Sequence, residues 1–170
     1  STSLPTLNAD QMRAWLDQNV PVGDFRDKRA LLIVPDNTRT APLPVLFPAL
    51  RSMLRPVTKS LDVLVALGTH PQMPQQKIRS MLGIADSDPC DDVGLFNHAW
   101  DNPAELATIG VLTEAETREI SDGVLSMEVP VQINRRILDY DIALIVGPVF
   151  PHEVVGFSGG NKYFFPGISG

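Results

Sequence analysis

Ala30-Leu31-Leu32-Ile33-Val34 is an unbroken apolar run that leads directly into the polar turn Pro35-Asp36-Asn37-Thr38-Arg39. A short apolar run without polar alternation is typical of a strand that is buried on both faces, as in a parallel sheet. Residues 61–67 are similar but are interrupted by Asp62, and residues 141–147 contain the apolar run 142–146. The three runs therefore predict the central strands of a mostly parallel sheet.

Helical patterns separate these strands. The predicted helices cover residues 8–18, 43–54, 74–82 and 131–138. Weaker strand patterns occur at residues 93–96 and 105–112, and the second of these is also compatible with a helix. Strands that alternate with helices predict an α/β fold, Rossmann-like, with a mostly parallel sheet flanked by helices. We expect residues 1–170 to form a single α/β domain, with surface loops at 85–92 and 113–126.

Composition and charge exclude several classes of partner. The 170 residues include 14 Lys and Arg against 20 Asp and Glu, for a formal net charge of −6. Nucleic-acid binding and adhesion to an anionic membrane both need clustered basic residues, so we predict neither partner. We also predict no membrane span or signal peptide from the apolar patterns. The single cysteine, Cys90, fits a reducing compartment, so we predict a cytoplasmic protein.

Polar side chains follow each of the three strong strands. Asp36 and Arg39 follow the first, His70 follows the second, and His152 and Lys162 follow the last. In open α/β sheets, ligands bind outside the carboxyl ends of the strands. If the strands are parallel, these five side chains meet in one cleft.

The loop after the last strand has the composition of an anion site. Ser158, Gly159 and Gly160 precede Lys162. Glycines let backbone N–H groups approach a ligand, and successive N–H groups form a nest that suits phosphate. Each turn also has a structural interpretation: residues 36–38 fit an Asx turn, and Gly-Gly fits a plain tight turn. The third histidine, His98, is predicted to be structural.

Several stretches, in this order, resemble one family. They are Asp36-Asn37-Thr38-Arg39, Gly68-Thr69-His70, Asn97-His98-Ala99-Trp100, Val131-Gln132-Ile133-Asn134-Arg135, and the segment from Pro151-His152 to Pro166-Gly167-Ile168. The chain resembles the N-terminal, cofactor-binding domain of the nickel-dependent lactate racemases, which have two domains. The resemblance implies that the C-terminal domain, which closes the cleft, is absent from this chain.

The resemblance implies a specific chemistry. Family enzymes carry a nickel-pincer nucleotide, linked covalently to the lysine at the position of Lys162. Histidines at the positions of His70 and His152 act as alternating general bases while a 2-hydroxy acid gives up hydride and takes it back on its other face. Imidazole suits this role because its ordinary pKa is about 6.5. The positions expected to bind cofactor or substrate are Asp36, Thr38, Arg39, Ser158, Gly159, Gly160 and Lys162.

The resemblance also sets limits on this chain. No histidine follows Lys162, so the nickel-ligating histidine is expected outside the chain, and no metal ligand is assigned within it. We expect the isolated chain to be inactive and to lack the cofactor. The substrate, a lactate-type hydroxy acid or a sugar acid, and formation of a homo-oligomer stay open. One alternative is a non-catalytic phosphate- or nucleotide-binding module. A second is a hydrolase or transferase that uses His152 or Lys162 on a phosphorylated substrate.

Overall fold

The computed structural model describes residues 6–153 and 156–170. The strands are β1 (Arg29–Pro35), β2 (Ser60–Ala66), β3 (Val93–Asn97), β4 (Leu106–Leu112), β5 (Val129–Asn134), β6 (Ile142–Ile145), β7 (Phe150–His152) and β8 (Gly156–Ser158). The α-helices are α1 (Ala9–Asn19), α2 (Leu43–Leu54), α3 (Gln75–Met81) and α4 (Glu114–Ile120). The chain thus has the α/β organisation that its apolar runs predict.

Four strands form the central sheet in the order β3-β2-β1-β6. All neighbouring pairs are parallel, and Leu32 at the centre of β1 lies opposite Val63 of β2 and Leu144 of β6. The predicted parallel sheet is therefore confirmed. Because its strands are parallel, the carboxyl ends of β1, β2 and β6 reach the same edge of the sheet.

The two faces of β1 are buried by different parts of the chain. Ala30, Leu32 and Val34 pack in a core with side chains of α1, α2 and α3. Leu31 and Ile33 pack on the opposite face in a second cluster, which includes Tyr163 and Ile168 of the C-terminal segment. Both faces of the strand are therefore apolar, which explains the unbroken run. The C-terminal segment is held against the sheet by this burial.

Two of the predicted helices are present, and each begins with residues that favour a helix start. The helix at 43–54 is confirmed as α2, with Pro44 in its first turn and Pro48 inside it. A proline in the first turn replaces an N–H that has no helical partner, whereas Pro48 removes one interior hydrogen bond. The helix at 8–18 is confirmed as α1, which begins with a capping box between Asn8 and Gln11.

Two local predictions are wrong. Residues 131–138 are not a helix: β5 pairs antiparallel with β4, and a 3₁₀ turn follows at Arg135–Asp139. Val129, Val131 and Ile133 alternate with other residues, as in a strand. Pairing with β4 provides hydrogen-bond partners for backbone N–H and C=O groups of β5. Residues 113–126 are not all loop, because α4 begins there with a capping box from Thr113.

Residues 106–112 form the predicted strand, but β4 lies outside the parallel sheet, in a two-stranded antiparallel pair with β5. Within the predicted C-terminal loop, residues 150–152 and 156–158 pair antiparallel as the short strands β7 and β8. None of the helices in residues 6–153 and 156–170 is long and apolar enough to cross a bilayer.

His98 is structural, as predicted. It is fully buried, and its Nε2 lies 3.0 Å from the carbonyl oxygen of Ser169. Its Nδ1 lies 3.2 Å from Nδ2 of Asn134, whose Oδ1 accepts the backbone N–H of Arg136. These contacts assign the proton to Nε2, which donates to Ser169, while Nδ1 accepts from Asn134. The buried imidazole thus ties the C-terminal segment to the end of β5.

Candidate active site

A cavity of about 250 Å³ opens at the carboxyl ends of β1, β2 and β6. Its walls come from the turns that follow these strands, at residues 35–39, 66–70, 148–150 and 158–167. Six of the predicted site residues line it: Asp36, Arg39, His70, Ser158, Gly159 and Lys162. The turns therefore meet at one edge of the sheet, as the predicted strand directions require.

Three predicted residues are not among those that line the cavity. Thr38 instead contacts the carboxylate of Asp36, and Gly160 opens the 3₁₀ turn that follows Gly159. His152 is exposed at the end of β7, two residues beyond the cavity-lining Phe150. Val154 and Val155 of the C-terminal stretch lie outside the described residues.

A hydrogen-bonded pair of Asp36 and His70 forms one wall of the cavity. Oδ2 of Asp36 lies 2.5 Å from Nδ1 of His70. The Asp36 side chain is 7 % exposed, whereas the His70 side chain is 56 % exposed. A carboxylate that accepts the Nδ1 proton holds the ring orientation and leaves Nε2 as the nitrogen with a lone pair. The exposed part of the ring is thus available to a ligand.

Thr38 holds the carboxylate in place. Oδ1 of Asp36 accepts the Thr38 hydroxyl at 2.6 Å and the Thr38 backbone N–H at 3.1 Å. Burial raises the pKa of Asp36, but the hydrogen bonds from Thr38 and His70 lower it by more, so its pKa falls below the ordinary value. The Asx turn expected on structural grounds is present, and it also orients the carboxylate toward His70.

The C-terminal segment closes the cavity from the opposite side. Gly68 at the end of β2 donates its N–H to the carbonyl of Gly167 at 2.8 Å. Gly159 has φ +88°, and a Cβ there would lie 2.1 Å from the carbonyl oxygen of Pro148. Only glycine fits both the backbone conformation and the space. The tight turn at Gly159 leads into the 3₁₀ turn Gly160–Tyr163, which brings Lys162 to the cavity.

The cavity carries an excess of positive charge. Arg39 and Lys162 both line it, and no carboxylate within residues 6–153 and 156–170 forms an ion pair with either. The nearby carboxylate of Asp36 already accepts hydrogen bonds from Thr38 and His70. A guanidinium and an ammonium without a protein counter-ion favour an anionic ligand, such as a carboxylate or a phosphate.

Metal ligands are not gathered in the described part of the chain. Residues 6–153 and 156–170 contain no group of three or more His, Cys, Asp and Glu side chains that could hold an ion. The amine of Lys162, the guanidinium of Arg39 and the Asp36–His70 pair are therefore the chemically distinctive groups that the cavity presents.

Sequence reasoning missed Tyr163. Its side chain is buried at 8 % exposure, lines the cavity and belongs to the core beneath β1. Its position next to Lys162 was the available signal, but an aromatic residue in a segment with other aromatics gives no indication of which one faces a ligand. That distinction depends on the 3₁₀ turn.

Comparisons with known proteins identify the family of the chain. Residues 23–170 match the family model described as the lactate racemase N-terminal domain. A lactate racemase from Thermoanaerobacterium thermosaccharolyticum is 29 % identical over 144 residues, which are 84 % of this chain and 30 % of that protein.

Two solved structures share the fold. A crystal structure of a Thermotoga maritima protein matches with a TM-score of 0.83 and 30 % identity, over 98 % of this chain and 40 % of the other. The lactate racemase apoprotein of T. thermosaccharolyticum matches with a TM-score of 0.73 and 22 % identity, over the same shares of the two chains. The chain thus spans less than half the length of these relatives. Because the family model covers most of the chain, the protein belongs to the lactate racemase family and corresponds to its N-terminal domain.

Proposed function

We propose that the protein is a racemase or epimerase of lactate-type 2-hydroxy acids and that this chain supplies the N-terminal part of its active site. The observation that carries the proposal is the Asp36–His70 pair, which shares one cavity with Arg39 and Lys162 in a chain of the lactate racemase family. The relatives are much longer, so activity is proposed for the longer protein, together with a second domain.

His70 is proposed as a general base for the substrate hydroxyl. Asp36 accepts the Nδ1 proton, so Nε2 keeps the lone pair that can take a proton from a bound hydroxyl group. Asp36 also stabilises the imidazolium that forms, as a buried carboxylate does in other catalytic pairs. Arg39 is proposed to bind the substrate carboxylate, because a guanidinium can form two parallel hydrogen bonds with it.

In the proposed chemistry, hydride leaves one face of the carbon and returns to the other, so the hydroxyl group lies on a different side in each enantiomer and a second proton acceptor is needed. His152 is proposed as the second base. It lies on the hairpin whose Phe150 and Ser158 line the cavity. Closure by a second domain is proposed to bring the ligand and this imidazole together.

Lys162 is proposed as the attachment point of a nickel-pincer nucleotide. The cavity suits the group in two respects: it offers a lysine amine, and Arg39, Ser158 and Gly159 line it where an anionic phosphate is expected. When bound, the cofactor would supply the hydride acceptor that the protein side chains lack. Thr38 and Gly160 are proposed to act indirectly, through Asp36 and through the turn that positions Lys162.

The experiment uses the full-length protein from a host that makes the cofactor. The intact mass is expected to show an adduct at Lys162, and Lys162→Arg is the matched control that keeps the charge but removes the attachment point. His70→Asn and His152→Asn are expected to retain the adduct and to lose interconversion of the lactate enantiomers, by roughly 10²–10⁴-fold for a lost general base.

Three outcomes would contradict the proposal. Absence of the adduct when nickel and the biosynthetic enzymes are supplied would favour a binding module without this cofactor. Full turnover in both histidine variants would show that neither histidine is a catalytic base. Turnover by residues 1–170 at the rate of the full-length enzyme would contradict the proposal that a second domain completes the site.

A further inference from the structure

We infer that the hydroxyl group of Tyr163 is a ligand-binding group of this cavity and that it donates a hydrogen bond to an oxygen of the anion that Arg39 and Lys162 attract. The inference rests on the proposed function for the location of the ligand. It goes beyond that function in assigning a third polar contact, from a residue that neither the sequence motifs nor the proposed chemistry used.

The first observation is a hydroxyl group in a cavity-lining residue that has no hydrogen-bond partner within the described protein. Tyr163 is 8 % exposed and lines the cavity, and none of the residues in 6–153 and 156–170 forms a hydrogen bond with its hydroxyl. The other tyrosine, Tyr140, donates its hydroxyl proton to Asp62 at 2.8 Å. Among the described residues, the fully buried side-chain polar atom without a partner is Oγ1 of Thr58, so the Tyr163 hydroxyl keeps contact with the solvent of the cavity. A phenol hydroxyl usually finds a hydrogen-bond partner, and a ligand oxygen in the cavity can supply the acceptor in place of water.

The second observation is the space kept for this hydroxyl. A Cβ at Gly147, which follows β6, would lie 2.1 Å from the Tyr163 hydroxyl oxygen and 3.2 Å from Pro35. The phenol thus occupies the gap between the carboxyl ends of β6 and β1, where the absence of a side chain at residue 147 makes room for it. Packing beneath β1 fixes the ring, so the hydroxyl is held rather than mobile.

The third observation is the charge around the phenol. Burial raises the pKa of Tyr163, an effect that Asp36 adds to and Arg39 opposes, so the hydroxyl stays protonated near neutral pH and can act as a donor. Asp36 already accepts hydrogen bonds from Thr38 and His70. A donor next to two cationic side chains suits an oxyanion, which is either a carboxylate or a phosphate oxygen.

The test measures anion binding by residues 1–170, with ¹³C-labelled tyrosine followed by NMR. Inorganic phosphate and sodium L-lactate are titrated separately, so that the two sources of an oxyanion are distinguished. Saturable binding of at least one of them is expected, with a shift of the Tyr163 signal and not of the Tyr140 signal. Tyr163→Phe is expected to weaken binding at least about tenfold, the size expected for a lost hydrogen bond to a charged acceptor.

Tyr140→Phe is the matched control, because it removes the other phenol hydroxyl at a site away from the cavity, and it is expected to leave anion affinity unchanged. Gly147→Ala is a second variant that keeps the hydroxyl but displaces it, and it is expected to weaken binding as well. Equal affinity in wild type and Tyr163→Phe, or no saturable binding of either anion by the wild type, would overturn the inference.

These results are separable from those that test the proposed function. If Tyr163→Phe binds as well as wild type while the full-length enzyme requires His70, the inference about Tyr163 fails and the racemase proposal stands. If anion binding depends on Tyr163 but the full-length protein shows no adduct and no turnover, the racemase proposal fails and the oxyanion contact stands.

Discussion

Replacement of His98 by phenylalanine is expected to destabilise the fold without touching the cavity. The imidazole is fully buried and makes two hydrogen bonds, one as donor to the Ser169 carbonyl and one as acceptor from the Asn134 amide. Phenylalanine keeps a planar aromatic ring, somewhat larger than imidazole, and offers neither contact. The change therefore isolates the loss of polar partners from the creation of a cavity.

The expected loss in the free energy of unfolding follows from the two polar groups that lose their hydrogen-bond partner. Asn134 is completely buried, so its unsatisfied amide costs about 1–3 kcal/mol. Ser169 is half-buried, so water can partly replace the lost donor, and its carbonyl adds roughly 0.5–1.5 kcal/mol. The sum predicts a loss of about 2–4 kcal/mol in the free energy of unfolding. Urea denaturation followed by circular dichroism measures it, and the corresponding drop in Tm is roughly 5–15 °C.

The same contacts predict a pH dependence. Burial lowers the pKa of His98 below its ordinary value, and the bond to Ser169 opposes this effect only in part. Below about pH 6.5 the unfolded chain takes up a proton at this histidine and the folded chain does not, so the free energy of unfolding falls with falling pH. His98→Phe is expected to lose this component of the slope between pH 7 and pH 5.

Asn134→Asp is the complementary variant. The amide donates to Nδ1 of His98, whereas a carboxylate at this position would accept a proton from the imidazolium. The pKa of His98 is therefore expected to rise, and the decline in stability below about pH 6.5 is expected to shrink or reverse. The reasoning would be refuted if His98→Phe lost less than about 1 kcal/mol and the wild-type stability did not change between pH 7 and pH 5.

Three further predictions concern the turns and the acidic loop. Gly159→Ala is expected to be more destabilising than Gly123→Ala in thermal unfolding, because both positions have positive φ but only the first meets a backbone carbonyl within 4 Å; equal losses would contradict the steric argument. Arg51→Ala is expected to speed proteolysis within residues 85–92, since its guanidinium bonds two aspartates there, and unchanged cleavage sites in mass spectrometry would argue against that role. Cys90, which is 4 % exposed with a pKa raised by burial, is expected to react slowly with a thiol reagent in the native protein and rapidly in urea; rapid native labelling would show that the thiol is accessible.

Much of the fold could be predicted because the sequence of a central strand shows whether one or both of its faces are buried. Leu31 and Ile33 must be apolar for one face and Leu32 and Val34 for the other, so the run itself indicates a strand covered on both sides. β5 was mistaken for a helix because short apolar segments fit both periods. Its identity depends on pairing with β4, which ends 17 positions before β5 begins (Leu112 to Val129).

Part of the candidate site could also be predicted from the sequence, and part of it could not. The positions of Asp36, Arg39 and His70 directly after strong strands predict a common edge, since parallel strands end on the same side of a sheet. The placement of His152 on a separate hairpin, outside the cavity wall, could not be predicted. Its position depends on local pairing of β7 with β8, which no periodic pattern in three-residue strands reveals.

By itself, the sequence determined the class of fold and which polar residues follow its strands, because hydrophobic periodicity is encoded locally and alternating helices favour parallel strands. Only the tertiary structure decided that Asp36 bonds His70, that Tyr163 reaches the cavity beside Gly147, and that His98 is neutral and buried. These contacts join residues that are far apart along the chain. The distances between these side chains depend on how the crossovers and the C-terminal segment pack against the sheet. That packing cannot be predicted from local sequence patterns.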